Sequence, residues 1–170
     1  VLENLRKHIF NWAIWPDFST VPSVERAFMR YQRIELGEPV TLAGRRITAL
    51  PVDHTVPAVG YCLDSGAASL AFSGDTGPCD AFWQALNDIS NLRHLIVECA
   101  FPNRERRLAE LSKHFWPDML ASQLKKLQRP CTIHITHLKP GQIEATMEEI
   151  SRCLAEFSPN MLQNNQVFEF

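Results

Sequence analysis

Three residues of the types that bind divalent metal ions stand at the ends of β-rich runs in this 170-residue chain. Asp75 closes the apolar run of LAFSGDT, His54 lies in PVDHTVPAVGYCL, and His137 lies in TIHITHLKP. Imidazole nitrogen and carboxylate oxygen both ligate zinc and similar ions, and a carboxylate with two oxygens can join a pair of ions. Asp75 suits that bridging role. Taken singly, His54 or His137 reads as an ordinary loop or packing histidine; the joint pattern is what points to a metal site. The three can meet only if several strands end at one edge of a sheet.

That requirement sets what the rest of the chain must build. VLENLRKHIFNW puts Leu2, Leu5, Ile9 and Trp12 at helical spacing, and the following WPDF stops the helix because a residue before proline is pushed out of the α region. From residue 29 to residue 73 the pattern is β. MRYQRIEL, PVTL, RRITALPVDH, VGYCLDS and SLAFS are separated by GE, AG, a proline loop and SGAA, which predicts an antiparallel meander. Gly74 then lets the chain turn sharply and present Asp75. Beyond it, predicted helices over 79–86, 103–111, 117–127 and 142–157 alternate with strands over 94–99 and 131–136. SPNMLQNN reads as a polar loop before a closing strand at 166–170.

Composition is that of one domain with a real core, 45% hydrophobic and 21% charged. A net charge of −2 and a pI near 6.3 give no broad basic field, so bulk attraction to nucleic acid or to an anionic membrane is not expected. Cys62, Cys79, Cys99, Cys131 and Cys153 are odd in number, dispersed and mostly within apolar runs, the pattern of reduced thiols and of a cytoplasmic location. No apolar stretch approaches the roughly 20 residues of a membrane span, and no signal peptide opens the chain. The chain starts without Met and inside a helix. Trp12, Trp15, Phe18 and Trp83 read as core or interface aromatics, and Arg104, Arg106 and Arg107 as a solvated helix face. Lys139 lies close enough to His137 to reach a phosphate, and is equally ordinary as a surface lysine before a proline turn.

HTVPAVGY, a strand ending in SGDT and a later strand ending in THLKP together resemble the third, fourth and fifth metal-binding motifs of the metallo-β-lactamase fold hydrolases. More narrowly, HIFNWAIWPDF, SGDTGP, VECAFPN, LSKHFWP and THLKP, in that order, look like the class II 3′,5′-cyclic-nucleotide phosphodiesterases. The resemblance implies an α/β (α+β) fold, the αββα sandwich of that superfamily, mainly its C-terminal half, in a single incomplete domain spanning 1–170. It implies two divalent ions, zinc being the expected one, with His54 on one, His137 on the other and Asp75 between them. His114 matches a histidine beside the scissile phosphate, where an imidazole of near-neutral pKa can donate a proton to a leaving alkoxide. Glu98 ends the apolar run LIVE, where an unpaired carboxylate is costly to bury; a hydrogen bond to a histidine such as His114 is expected, an arginine partner being the alternative. Thr76 is expected beside it in the same supporting role.

One departure limits these expectations. The family's main metal motif, HxHxDH, has no counterpart here. His8 and His94 stand alone in the sequence, and His134 is predicted on the strand face opposite His137. The motif precedes the matching region in such hydrolases, so the chain reads as the C-terminal portion of a longer protein, binding two metals poorly by itself because a zinc site needs at least three protein ligands per ion. Expected partners are a cyclic nucleotide and either the remaining segment or a second copy covering an open sheet face. Alternative readings are an RNA 3′-processing phosphodiesterase, a thioesterase or lactonase, and a metal-free oligomerisation module.

Overall fold

The computed structural model describes residues 1–170, which divide into two compact units, Val1–Glu35 and Leu36–Phe170. In the first, α1 (Leu2–His8) ends well before Trp12, which adopts a left-handed backbone at φ 67°. The Asn11 side chain accepts hydrogen bonds from the backbone N–H groups of Ala13 and Ile14, an alternative to helical pairing that ends the helical path. Phe10 meets Phe18 edge-on at 6.1 Å, and the Arg6 guanidinium lies over Tyr31. Trp12 and Trp15 are exposed, whereas in the second unit Trp83 is a core residue.

The second unit is a seven-stranded sheet in the order β1-β2-β3-β4-β5-β6-β7, which is also the order in the chain. β1 (Pro39–Leu42), β2 (Arg45–Leu50), β3 (Gly60–Asp64) and β4 (Ser69–Phe72) form the predicted antiparallel meander. β5 (Leu92–Glu98), β6 (Thr132–Thr136) and β7 (Asn160–Met161) then add in parallel, each after a helical crossover. The change matters for function: parallel strands all end on one side, so the loops after β4, β5 and β6 gather at one edge. Leu50, Cys62, Ala71, Leu95, Val97, Ile133 and Ile135 form one apolar face. It buries Phe82, Trp83 and Leu86 of α2 (Asp80–Asn87), Leu120 and Leu124 of α4 (Pro117–Leu124), and Ile150 of α5 (Ile143–Cys153). Pro117 begins α4 at the first helical position, where its missing N–H costs nothing and its fixed φ favours the helix. All five cysteines are free, and no helix is long and apolar enough to cross a membrane.

Three expectations change. MRYQRIEL forms no strand; only its last residue, Leu36, makes an isolated bridge, to Ala49. Residues 166–170 are not a strand either, and the sheet closes instead with the two-residue β7 inside SPNMLQNN. His94 is not alone, since in parallel register it lies diagonally across from His134, with Nδ1 to Nε2 at 3.3 Å and Phe168 packed against both rings.

Candidate metal centre

The chain arrives at the edge of the sheet in four separate places, and each arrival has a local cause. After β4, Gly74 takes φ +60°, a region closed to most side chains, and so redirects the chain to Asp75. After β2, the 51–59 loop carries His54, and a hydrogen bond from Asp53 N–H to Thr76 Oγ1 at 3.1 Å ties that loop to the Asp75 turn. α3 (Arg106–Ser112) stops at Lys113, whose left-handed backbone at φ 55° turns the chain toward His114. β6 stops at Thr136, and His137 follows at φ 64°. His134 stays within β6 beside His94, whereas His137 lies just past the strand end and is turned to Asp75.

The four side chains converge around one carboxylate. Asp75 Oδ1 lies 3.0 Å from His137 Nδ1, and Asp75 Oδ2 lies 4.0 Å from His54 Nε2. Each oxygen therefore faces a different imidazole. His54 Nδ1 lies 3.2 Å from the Lys113 carbonyl, which fixes the tautomer with the proton on Nδ1 and leaves the Nε2 lone pair toward Asp75. The His114 ring packs against both other rings, 4.9 Å from His54 and 5.1 Å from His137, in a stacked arrangement with the latter.

Beneath the imidazoles lies Glu98, fully buried at 0% exposure and holding four donors. Its Oε1 accepts from His114 Nδ1 at 2.8 Å and Thr76 N–H at 3.0 Å; its Oε2 accepts from Ala100 N–H at 3.0 Å and Phe115 N–H at 3.4 Å. The partner is a histidine rather than an arginine, and three backbone amides join it. Thr76 contributes its amide to Glu98 and its hydroxyl to the Asp53 tie. Lys113 and Asp53 pair at 2.6 Å beside the site.

Donor atoms of His54, Asp75 and His114 all lie within 4.8 Å of one another. Two imidazoles and a carboxylate suit one zinc-like ion in a four-coordinate site with an open position. His114 thus stands in the candidate ligand set as well as in its expected place beside the phosphate, while His137 approaches Asp75 from outside that group. A second ion needs more donors than these four residues supply.

Residues 6–156 match the family described as the beta-lactamase superfamily domain. The chain belongs to this family. Among curated relatives of this β-lactamase superfamily chain is a probable 3′,5′-cyclic-nucleotide phosphodiesterase of Yersinia pestis, 28% identical over 82% of this chain and 48% of the relative. Another is ribonuclease Z of Mycobacterium tuberculosis, 27% identical over 73% of this chain and 47% of the relative. The chain thus spans about half the length of the curated relatives it matches. The metallo-β-lactamase fold protein YhfI from Bacillus subtilis superposes with a TM-score of 0.69 at 19% identity, covering 85% of this chain and 57% of YhfI. The fold is accordingly that of the metallo-β-lactamase proteins, a fold that implies divalent metal binding, and the donor set at Asp75 fits it.

Proposed function

We propose that the full-length protein is a metal-dependent phosphodiesterase that opens 3′,5′-cyclic nucleotides to 5′-nucleoside monophosphates. The observation that carries this reading is the hydrogen-bonded His114–Glu98 pair, with the His114 ring packed against those of His54 and His137 beside Asp75. Phosphodiester hydrolysis needs a nucleophile, charge compensation and a proton for the leaving oxygen. Divalent ions held by His54, Asp75 and His137, with zinc the expected identity, lower the pKa of water and offset phosphoryl charge when bound. The remaining work falls to the chain itself. Nδ1 of His114 is committed to Glu98, so where the ions take their donors from His54, Asp75 and His137, Nε2 of His114 is the ring atom left to deliver a proton to the departing 3′ oxygen. Packing between two other rings holds His114 at the rotation this requires.

Cyclic-nucleotide chemistry is supported by the Yersinia relative and by the order of motifs from HIFNWAIWPDF to THLKP. The ribonuclease Z match favours a second reading, an RNA-processing phosphodiesterase built on the same chemistry. The net charge of −2 weighs against it. Completion of the ligand set by the rest of the protein, by a second copy or by both is part of the proposal, as is a cytoplasmic setting for the free thiols.

Metal analysis of the full-length protein, with hydrolysis assays on cyclic AMP, cyclic GMP and precursor tRNA, tests the reading. We expect stoichiometric divalent metal and cyclic-nucleotide turnover that Asp75→Ala lowers at least about a thousandfold. A metal-free protein, or turnover unchanged by Asp75→Ala, sinks it; turnover of precursor tRNA alone moves the assignment to the second reading.

A further inference from the structure

We propose that Lys139 is the residue by which the site selects an anionic phosphodiester over neutral esters, thioesters and lactones, an inference that rests on the phosphodiesterase reading. Lys139 follows His137 by two residues, and its half-buried side chain folds back along the turn so that Nζ lies 3.2 Å from His137 Nε2. The same ammonium sits 5.2 Å from the centre of the Phe101 ring. Phe101 and His137 are both packed against His114, at 5.7 and 5.1 Å between ring centres. The positive charge is therefore fixed at the rim of the imidazole cluster by contacts on two sides.

No carboxylate lies within ion-pair distance of it. The other lysine at the site, Lys113, is neutralised by Asp53 at 2.6 Å, so Lys139 is the cation there with its charge uncommitted. Holding a half-buried ammonium against an aromatic face and an imidazole, without a counter-ion, costs side-chain freedom and hydration. That cost is returned when an anion arrives.

The hydrogen-bonding logic of His137 shows how the ammonium is poised. Its Nδ1 faces Asp75 Oδ1 at 3.0 Å and must be the protonated nitrogen, leaving Nε2 as the lone pair that accepts from Lys139. The imidazole lone pair is a neutral acceptor, and a non-bridging oxygen of a phosphodiester, carrying negative charge, would replace it as the stronger partner for the ammonium. Neutral esters, thioesters and lactones offer no such charge, so Lys139 discriminates by the charge of the substrate and not by its shape.

The test uses the full-length, metal-loaded protein with Lys139→Gln and Lys139→Arg. Calorimetric titration with inorganic phosphate reads the anion site without turnover. Loss of a charge-assisted contact should weaken phosphate binding about tenfold in Lys139→Gln and much less in Lys139→Arg, at unchanged metal content. With bis(p-nitrophenyl) phosphate, KM should rise in Lys139→Gln by a similar factor while kcat holds within about twofold, and any hydrolysis of p-nitrophenyl acetate should be unaffected. Unchanged phosphate affinity in Lys139→Gln, equal losses on the charged and neutral substrates, or loss of metal from that variant would each overturn the proposal. A wild-type protein that hydrolyses only the neutral ester defeats the phosphodiesterase reading, yet the phosphate titration still decides whether Lys139 binds the anion.

Discussion

Replacing Glu98 by Gln tests whether one buried carboxylate organises the site. The two side chains are nearly isosteric, so packing is preserved, but the amide has a single acceptor oxygen where Glu98 uses both. If the NH2 group turns toward Ala100 and Phe115, two backbone N–H groups face a donor. If it turns toward Thr76 and His114, the imidazole can switch tautomer and accept, but the Thr76 N–H is still orphaned. At least one buried backbone donor therefore goes unsatisfied, at about 1–3 kcal/mol, and the surviving bonds lose their charge assistance. A total of about 2–4 kcal/mol follows, a large part of the roughly 5–15 kcal/mol that holds a domain together. Urea denaturation of the metal-free protein should show the midpoint falling by about 1–2 M at an unchanged slope. Hydrogen exchange should speed up locally at the Thr76 and Ala100 amides. A loss below about 1 kcal/mol, with both amides exchanging as in the wild type, would refute the reasoning.

Two further predictions concern the sheet. A Cβ at residue 60 would lie 2.8 Å from the Phe72 carbonyl oxygen, so Gly60→Ala must spread β3 from β4; a destabilisation of about 1–3 kcal/mol is expected by thermal or urea unfolding, and a neutral substitution would contradict the packing described. His94 and His134 both have pKa values lowered from the ordinary 6.5, in each case first by burial, then by Arg93 for His94 and by His94 for His134. The unfolded chain takes up these protons first, so their contribution to stability is complete above about pH 6.5 and declines as pH falls from there toward the depressed folded values. Urea midpoints measured between pH 7.5 and 5.5 should fall less steeply in His134→Gln than in the wild type, and parallel slopes would remove the histidine pair as the cause.

Much of the site was readable in the sequence because strands buried on both faces leave continuous apolar runs, and the residue ending such a run stands out. LAFSGDT and LIVE are of this kind, and with TIHIT, which alternates Thr or His with Ile, they place Asp75, Glu98 and His137 at ends of parallel strands. The long amphipathic pattern of α5 was readable for the same reason. Residues 29–35 misled because alternation alone cannot report whether a pairing partner exists, and here none does. β7 is two residues long, too short for any periodicity, and its identity comes from pairing with His134 and Ile135. The Lys113 turn was equally hidden: nothing in its residue type announces a left-handed backbone, yet that turn provides the carbonyl that orients His54. The His94–His134 contact needed the register of β5 against β6, which two separate strand patterns do not contain.

The parallel pairing of β4, β5 and β6 also has a consequence in time. The antiparallel meander from Pro39 to Phe72 closes through short turns, whereas each parallel strand must wait for a long helical crossover to return. Loop-closure entropy makes contacts of that kind late events in folding. Asp75 and His54 belong to the early part of the chain, while Glu98, His114 and His137 arrive with the late part. The candidate metal-binding constellation is therefore expected to assemble only after the crossovers to β5 and β6 have closed, and a metal ion would act after those pairings, as a ligand that draws the paired strands away from unfolding.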